Sequence, residues 1–233
     1  MDDGRGPPGI KGKRLRGLPS APGRVGGLDP ARSEGGWEIP DFLSRAFAET
    51  CCPEQQMASR RRGEIWPMVG PEYCREMARY NRWQNGQLDT LLRPLPREEL
   101  TRDRGAFFKS LLGTLNHLLW ADLTWMSRID GGARPTGGIA ESTGLCPTFG
   151  AWSAERFRTD GRILRWAERV SNVDLRGDLV WYSGATGRQM VKPLALCVAH
   201  MFNHQTHHRG QIHGMLTASD LAAPVSDLIF MPA

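Results

Sequence analysis

The stretch His200-Met-Phe-Asn203-His204-Gln-Thr-His207-His208-Arg209-Gly210-Gln211-Ile-His213 holds five of the chain's six histidines within fourteen residues. It lies in a segment that reads as a helix from near Lys192–Pro193 to about Thr217, since proline is tolerated in a first helical turn. Helical spacing decides what these histidines can do. Residues four apart share a face, so His204 and His208 can converge on a single ion. His200 lies on the same face but about 12 Å from His208 along the axis. One ion can therefore take His200 with His204, or His204 with His208, but hardly all three. His213 should point elsewhere. Solvated or core histidines are the other explanation of such a pair.

Working back from this segment, three more helices are legible. The first runs from Pro71 to about Leu92, with Met77, Tyr80, Leu88 and Leu91 as its apolar stripe, and Pro94 and Pro96 end it. The second is expected from about Arg104 to Ile129, with Phe108, Leu111, Leu112, Leu115, Leu119 and Met126 on one face. The third is expected from Phe149 to about Val170, carrying Trp152, Ile163 and Trp166. Between it and the histidine helix, Leu179–Ser183 and Arg188–Val191 flank Gly184–Gly187 and read as a β-hairpin. Four long helices with one longer crossover predict an all-α four-helix bundle.

Any further imidazole must come from His117 on the second helix. Its face, made of Ser110, Gly113, Thr114, His117, Ala121 and Thr124, is small and uncharged. Small residues there either leave a cavity between helices or let helices pack closely through Gly113 and Ala121. Three neutral imidazoles with an open position form the arrangement of a catalytic rather than a structural metal site.

The rest of the composition divides near residue 68. Of 27 Gly and 16 Pro, residues 1–40 hold 10 and 6. That stretch has no hydrophobic periodicity and cannot bury enough apolar surface to offset its ordering entropy. Only Ile39–Ala48, around Phe42, Leu43 and Phe47, could form a helical turn or two. Residues 1–67 are therefore expected to be a disordered extension, or a stretch upstream of a true start at Met68, with residues 68–233 as the domain. The net charge is +5 over the whole chain. Its densest basic clusters, Lys11–Arg16 and Arg60–Arg62, lie in the front segment. No basic helix suited to a nucleic-acid groove appears beyond residue 68. The longest strictly apolar run, Leu194–Ala199, is far short of the ~20 residues of a membrane span. Five cysteines, at 51, 52, 74, 146 and 197, have no zinc-type spacing, and no signal-peptide core precedes them. The expectation is a cytoplasmic protein with reduced thiols and no disulfide framework.

Asn203-His204-Gln-Thr-His-His208-Arg209-Gly210-Gln211 resembles the H-x-x-x-H-R-G-Q signature of the DinB family. Tyr80-Asn81-Arg-Trp83-Gln-Asn85 is similar to that family's first-helix motif, and Asn116-His117-Leu-Leu-Trp-Ala-Asp122 followed by Trp125 to its second. The ending Pro224-Val-Ser-Asp227-Leu-Ile-Phe fits the family's tail. The resemblance covers about residues 68–233. It implies a four-helix bundle, usually a homodimer, with a divalent metal held by His117, His204 and His208. Zinc, nickel or iron would all accept imidazoles.

The resemblance further implies a thiol S-transferase or hydrolase. In that reading the metal activates a low-molecular-weight thiol, or water, for attack on a small electrophilic substrate. The alternative is a non-catalytic, damage-inducible metal-binding protein acting as an interaction module; the family's name refers to regulation and implies no DNA contact. Around the ligands, Gln211 and Asp122 are weaker supporting candidates, Asp122 the more structural of the two. Arg209 is expected in a surface salt bridge, with a substrate anion as the alternative. Cys197 is expected to be a small core residue. Tyr80, Trp83 and Asn85 are expected to serve packing and a buried polar group, and Trp120 and Trp125 a core or dimer interface.

Overall fold

The computed structural model describes residues 69–184 and 186–233. The readings made for Ile39–Ala48, Cys51, Cys52, Arg60–Arg62 and Met68 fall outside them.

Helix α1 (Pro71–Leu92) starts with its proline in the first turn after Gly70. The first turn leaves its amides unbonded in any case, so the missing N–H loses nothing. A short helix, α2 (Arg97–Thr101), follows within the connection. Helix α3 (Leu111–Ile129) begins seven residues later than the pattern predicts, because Ser110 caps it by accepting the Gly113 amide at 3.0 Å. Just before the cap, Gly105 and Lys109 take φ of 69° and 65°, which breaks any helix through this stretch. Helix α4 (Phe149–Arg169) is capped by Thr148.

The hairpin pairs β1 (Asp178–Ser183) with β2 (Arg188–Pro193) antiparallel, Val180 opposite Val191. Helix α5 (Leu194–Thr217) follows directly, with Pro193 as its N-cap. Around the bundle, α1 packs on α4 and α5, and α3 packs on the same two. No helix among the described residues is long and apolar enough to cross a membrane.

The interior has three levels. One apolar cluster gathers Cys74, Ala78, Met126, Ile163, Val198, Met201 and Phe202. The other gathers Leu88, Leu92, Leu111, Leu115, Leu119, Trp152, Ile212 and Leu216. Each long helix crosses from one to the other. α1 and α5 meet them in the first order, α3 and α4 in the reverse order, so the topology is up-down-down-up. Residues 130–148 make the crossover between the two parallel helices.

Between the clusters every long helix contributes buried polar groups. Asp122 of α3 accepts from Arg156 of α4 at 2.7 Å and from Gln205 of α5 at 3.0 Å. Arg156 also pairs with Asp160 at 2.8 Å. Asn81 and Asn85 of α1 donate to Asp160 at 3.1 and 3.0 Å. Arg209 of α5 completes the set by donating to the Asn81 side-chain oxygen. Two aspartates face two arginines, so the buried layer is neutral overall, which burial of charge requires.

This corrects the expectation for Arg209, which lies inside the bundle and not in a surface salt bridge. Burial lowers its pKa to about 10, and its guanidinium lies over the Tyr80 ring at 5.4 Å.

The α1 motif has a structural role. Tyr80 donates to the Ser226 carbonyl at 2.5 Å, and Gln84 to that of Val225 at 2.6 Å. Gln87 exchanges two bonds of 3.1 Å with the Val225 backbone. These bonds strap the C-terminal tail along α1. Cys74, Cys146 and Cys197 are buried free thiols, Cys197 in the core as expected.

Candidate metal centre

Helix α5 presents His204 and His208 one turn apart toward α3, and α3 presents His117 toward them. One ring nitrogen from each of the three lies within 4.8 Å of the others, a group that could hold a metal ion. The Nε2 atoms of His204 and His208 are 3.0 Å apart. Imidazole nitrogens of a tetrahedral ion stand roughly 3.3 Å apart at bond lengths of ~2.05 Å, so this pair already has the spacing of two ligands.

The remaining nitrogens show which atom of each ring is available. The Ser142 hydroxyl donates to the Ile139 carbonyl at 2.6 Å, so its oxygen accepts from His117 Nδ1 at 2.9 Å. Gln211 Oε1 accepts from His208 Nδ1 at 2.8 Å, while its amide nitrogen donates to His207 Nε2 at 3.1 Å. In both rings the proton then sits on Nδ1 and Nε2 carries the lone pair, that of His208 facing His204 Nε2. Such partners fix the tautomer and ring orientation of metal-binding histidines. The Nδ1 of His204 is buried and has no hydrogen-bond partner among the described residues.

Burial disfavours the charged form of these rings. It lowers the His117 pKa to about 4, helped by His208, and that of His204 to about 3, helped by the neighbouring imidazoles. His208 is lowered too, by burial, partly offset by its bond to Gln211. At neutral pH the three rings are uncharged, the form that ligates. The donor set, its spacing and its protonation all fit a divalent ion.

Aromatic rings wall the cluster. Phe108 stacks on His117 with centroids 3.9 Å apart, and Trp120 lies 6.0 Å from the same ring. Phe108 had been expected on the α3 core stripe. The turn at Lys109 instead folds it back over the histidine, and Gly113 admits this turn. A Cβ at Gly113 would lie 2.5 Å from the Phe108 carbonyl oxygen. The neighbour of Gly113 is thus the turn that leads into its own helix, which is neither a cavity between helices nor close packing of two helices.

His200 is exposed and meets Trp125 at 5.1 Å and His204 at 5.8 Å, beside the cluster but outside the group of three. His207 touches His208 and Gln211 from the exposed side. His213 lines a separate cavity of about 260 Å³ with Tyr80 and Arg209. Gln211 supports His208 directly. Asp122 acts through the polar layer. Ser142 was not legible in the sequence: it sits in a 3-10 turn, Ser142–Gly144, twenty-five residues beyond His117, and no motif surrounds it.

A helical bundle with three imidazoles converging between two of its helices defines a candidate metal-centre protein. The model of the DinB family matches residues 68–225, and the chain belongs to that family. Protein DinB of Bacillus subtilis (strain 168) is 26% identical over 161 residues, covering 67% of this chain and 91% of that protein. The crystal structure of a DinB-like protein from Bacillus cereus ATCC 10987 overlays with a TM-score of 0.47 at 18% identity, covering 64% of this chain and 94% of that one.

Proposed function

We propose that His117, His204 and His208 hold a divalent ion, zinc, nickel or iron, and that the site acts on a small electrophilic substrate by thiol transfer or hydrolysis. The observation that carries this reading is the arrangement of the rings: the Nδ1–H groups of His117 and His208 are bonded outward, and one nitrogen of each of the three rings converges on the others. An imidazole-held divalent ion supplies Lewis-acid activation of a bound low-molecular-weight thiol or water. The chain's own residues hold the geometry. Ser142 and Gln211 keep a proton on each outer nitrogen, and Phe108 and Trp120 cover the faces of His117 and limit water there.

The test is elemental analysis of purified protein beside His204→Ala. Near-stoichiometric metal in the parent and its loss in the variant are expected; equal metal in both refutes the ligand set. A screen of the metal-loaded protein with thiols and electrophiles then separates an enzyme from a metal-binding interaction module, because the module turns nothing over. The same reading takes residues 68–233 as the folding domain and expects that fragment to bind metal as the full chain does. It also takes the protein as a cytoplasmic homodimer. Val180, Tyr182 and Val191 on the hairpin and Ile229 and Phe230 in the tail are exposed apolar side chains available for that contact. Sedimentation of the purified chain measures it.

A further inference from the structure

Arg128 lies on α3 eleven residues beyond His117. Eleven residues are just over three helical turns, so the two side chains share a face. The Arg128 side chain turns back toward the histidines. Its guanidinium carbon lies 4.6 Å over the Trp125 ring and 5.4 Å from that of Trp181 on β1. Trp125 meets Trp181 at 5.5 Å and His200 at 5.1 Å, and His200 meets His204 at 5.8 Å. A row of rings thus leads from the histidine cluster to a guanidinium. Trp125 follows His117 by eight residues, so the span is roughly 12 Å along the helix axis.

The charge of Arg128 is unmatched. Several arginines on the long helices pair with carboxylates, Arg75 with Glu72, Arg79 with Glu76, Arg93 with Asp89 and Arg158 with Glu155; Arg128 is not among them. The acid nearest Arg128 in sequence, Asp130, gives both oxygens to Arg162, at 2.5 and 2.8 Å. Among the described residues no carboxylate pairs with Arg128, and its contacts are the two indole faces. Burial and the positive charge of Arg134 both press on it. A half-buried guanidinium held beside two indole rings, its N–H fork bonded to no carboxylate among the described residues, is preorganised for a carboxylate.

We propose that the substrate of the histidine site is a carboxylate with a flat apolar body. Its carboxylate pairs with Arg128, its body lies along Trp125 and His200, and its electrophilic end reaches the cluster. This rests on reading the cluster as the reactive centre.

The test uses the full chain and two probes, 3-phenylpropanoate and its neutral amide. Calorimetric titration measures affinity, and tryptophan emission reports occupancy beside Trp125 and Trp181. The wild type should bind the carboxylate saturably. The amide, and Arg128→Gln with the carboxylate, should each bind at least about tenfold more weakly, the loss of one charge-assisted contact. Equal affinity for carboxylate and amide, equal affinity in Arg128→Gln, or no saturable binding overturns the proposal. Should Arg128→Gln fail to fold, the carboxylate–amide comparison on the native protein decides alone. Carboxylate selectivity that persists in His204→Ala after metal is lost supports the subsite independently of the metal. Metal uptake by a wild type without carboxylate selectivity overturns the subsite and leaves the metal centre standing.

Discussion

Replacing Asp122 with alanine removes the carboxylate that joins three helices in the buried polar layer. Its oxygens accept from Arg156 at 2.7 Å and Gln205 at 3.0 Å, and the side chains of the ion pair are only 1% and 4% exposed. Breaking a buried ion pair by deleting one partner costs about 3–5 kcal/mol, because the other charge stays behind uncompensated. Here Arg156 keeps Asp160, which draws that figure toward its lower end. The Gln205 amide, left without its acceptor, adds roughly 1–3 kcal/mol. The sum is about 4–6 kcal/mol, a large part of the 5–15 kcal/mol that holds a typical domain.

Asp122→Asn keeps the shape and one acceptor and should lose about half as much. Urea unfolding followed by tryptophan emission measures both variants, with an unchanged m-value showing that stability alone has moved. In a thermal scan the alanine variant should melt about 8–24 °C lower. A loss below about 1 kcal/mol for Asp122→Ala would show that the apolar clusters set the helix register without the polar layer.

Three further outcomes follow from the site. Ser142→Ala leaves His117 Nδ1 without its acceptor and should weaken metal binding by about 10–100-fold with little change in melting, read from a competition titration with a chelator. Gly113→Ala should destabilise the protein even though alanine favours helix by about 1 kcal/mol, because the new methyl meets the Phe108 carbonyl at 2.5 Å. A higher urea midpoint would contradict that contact. The metal-free protein should be fully stable at pH 7 and lose stability as pH falls. Its buried imidazoles protonate at about 4 for His117 and about 3 for His204, against 6.5 for a free ring. The unfolded chain therefore binds more protons across that interval. A melting temperature unchanged between pH 7 and pH 4.5 would rule this out.

Three of the long helices were legible because local chemistry marks their ends. Pro71 opens α1, Pro94 follows its close, and Pro193 and Phe149 stand at the starts of α5 and α4. The start of α3 was misjudged because Phe108 fits the apolar spacing of the stripe. Its ring turns instead on the left-handed backbone at Lys109, a conformation that spacing does not encode. His117, His204 and His208 could be named from spacing and resemblance, since an i, i+4 pair converges by helix geometry alone. Ser142 and Arg209 could not. The role of each depends on a partner far along the chain, His117 for one and Asn81 for the other.

The outward hydrogen bonds of His117 and His208 have a calorimetric consequence. Rings already neutral, with each Nδ1 proton committed to a serine or glutamine oxygen, have no proton to surrender when an ion arrives at Nε2. Metal uptake at pH 7 should therefore release none to the medium, and its measured heat should be the same in buffers of widely different ionisation enthalpy. Any heat that does vary with buffer would then belong to the molecule that arrives after the ion: a thiol or a water shedding its proton as it binds.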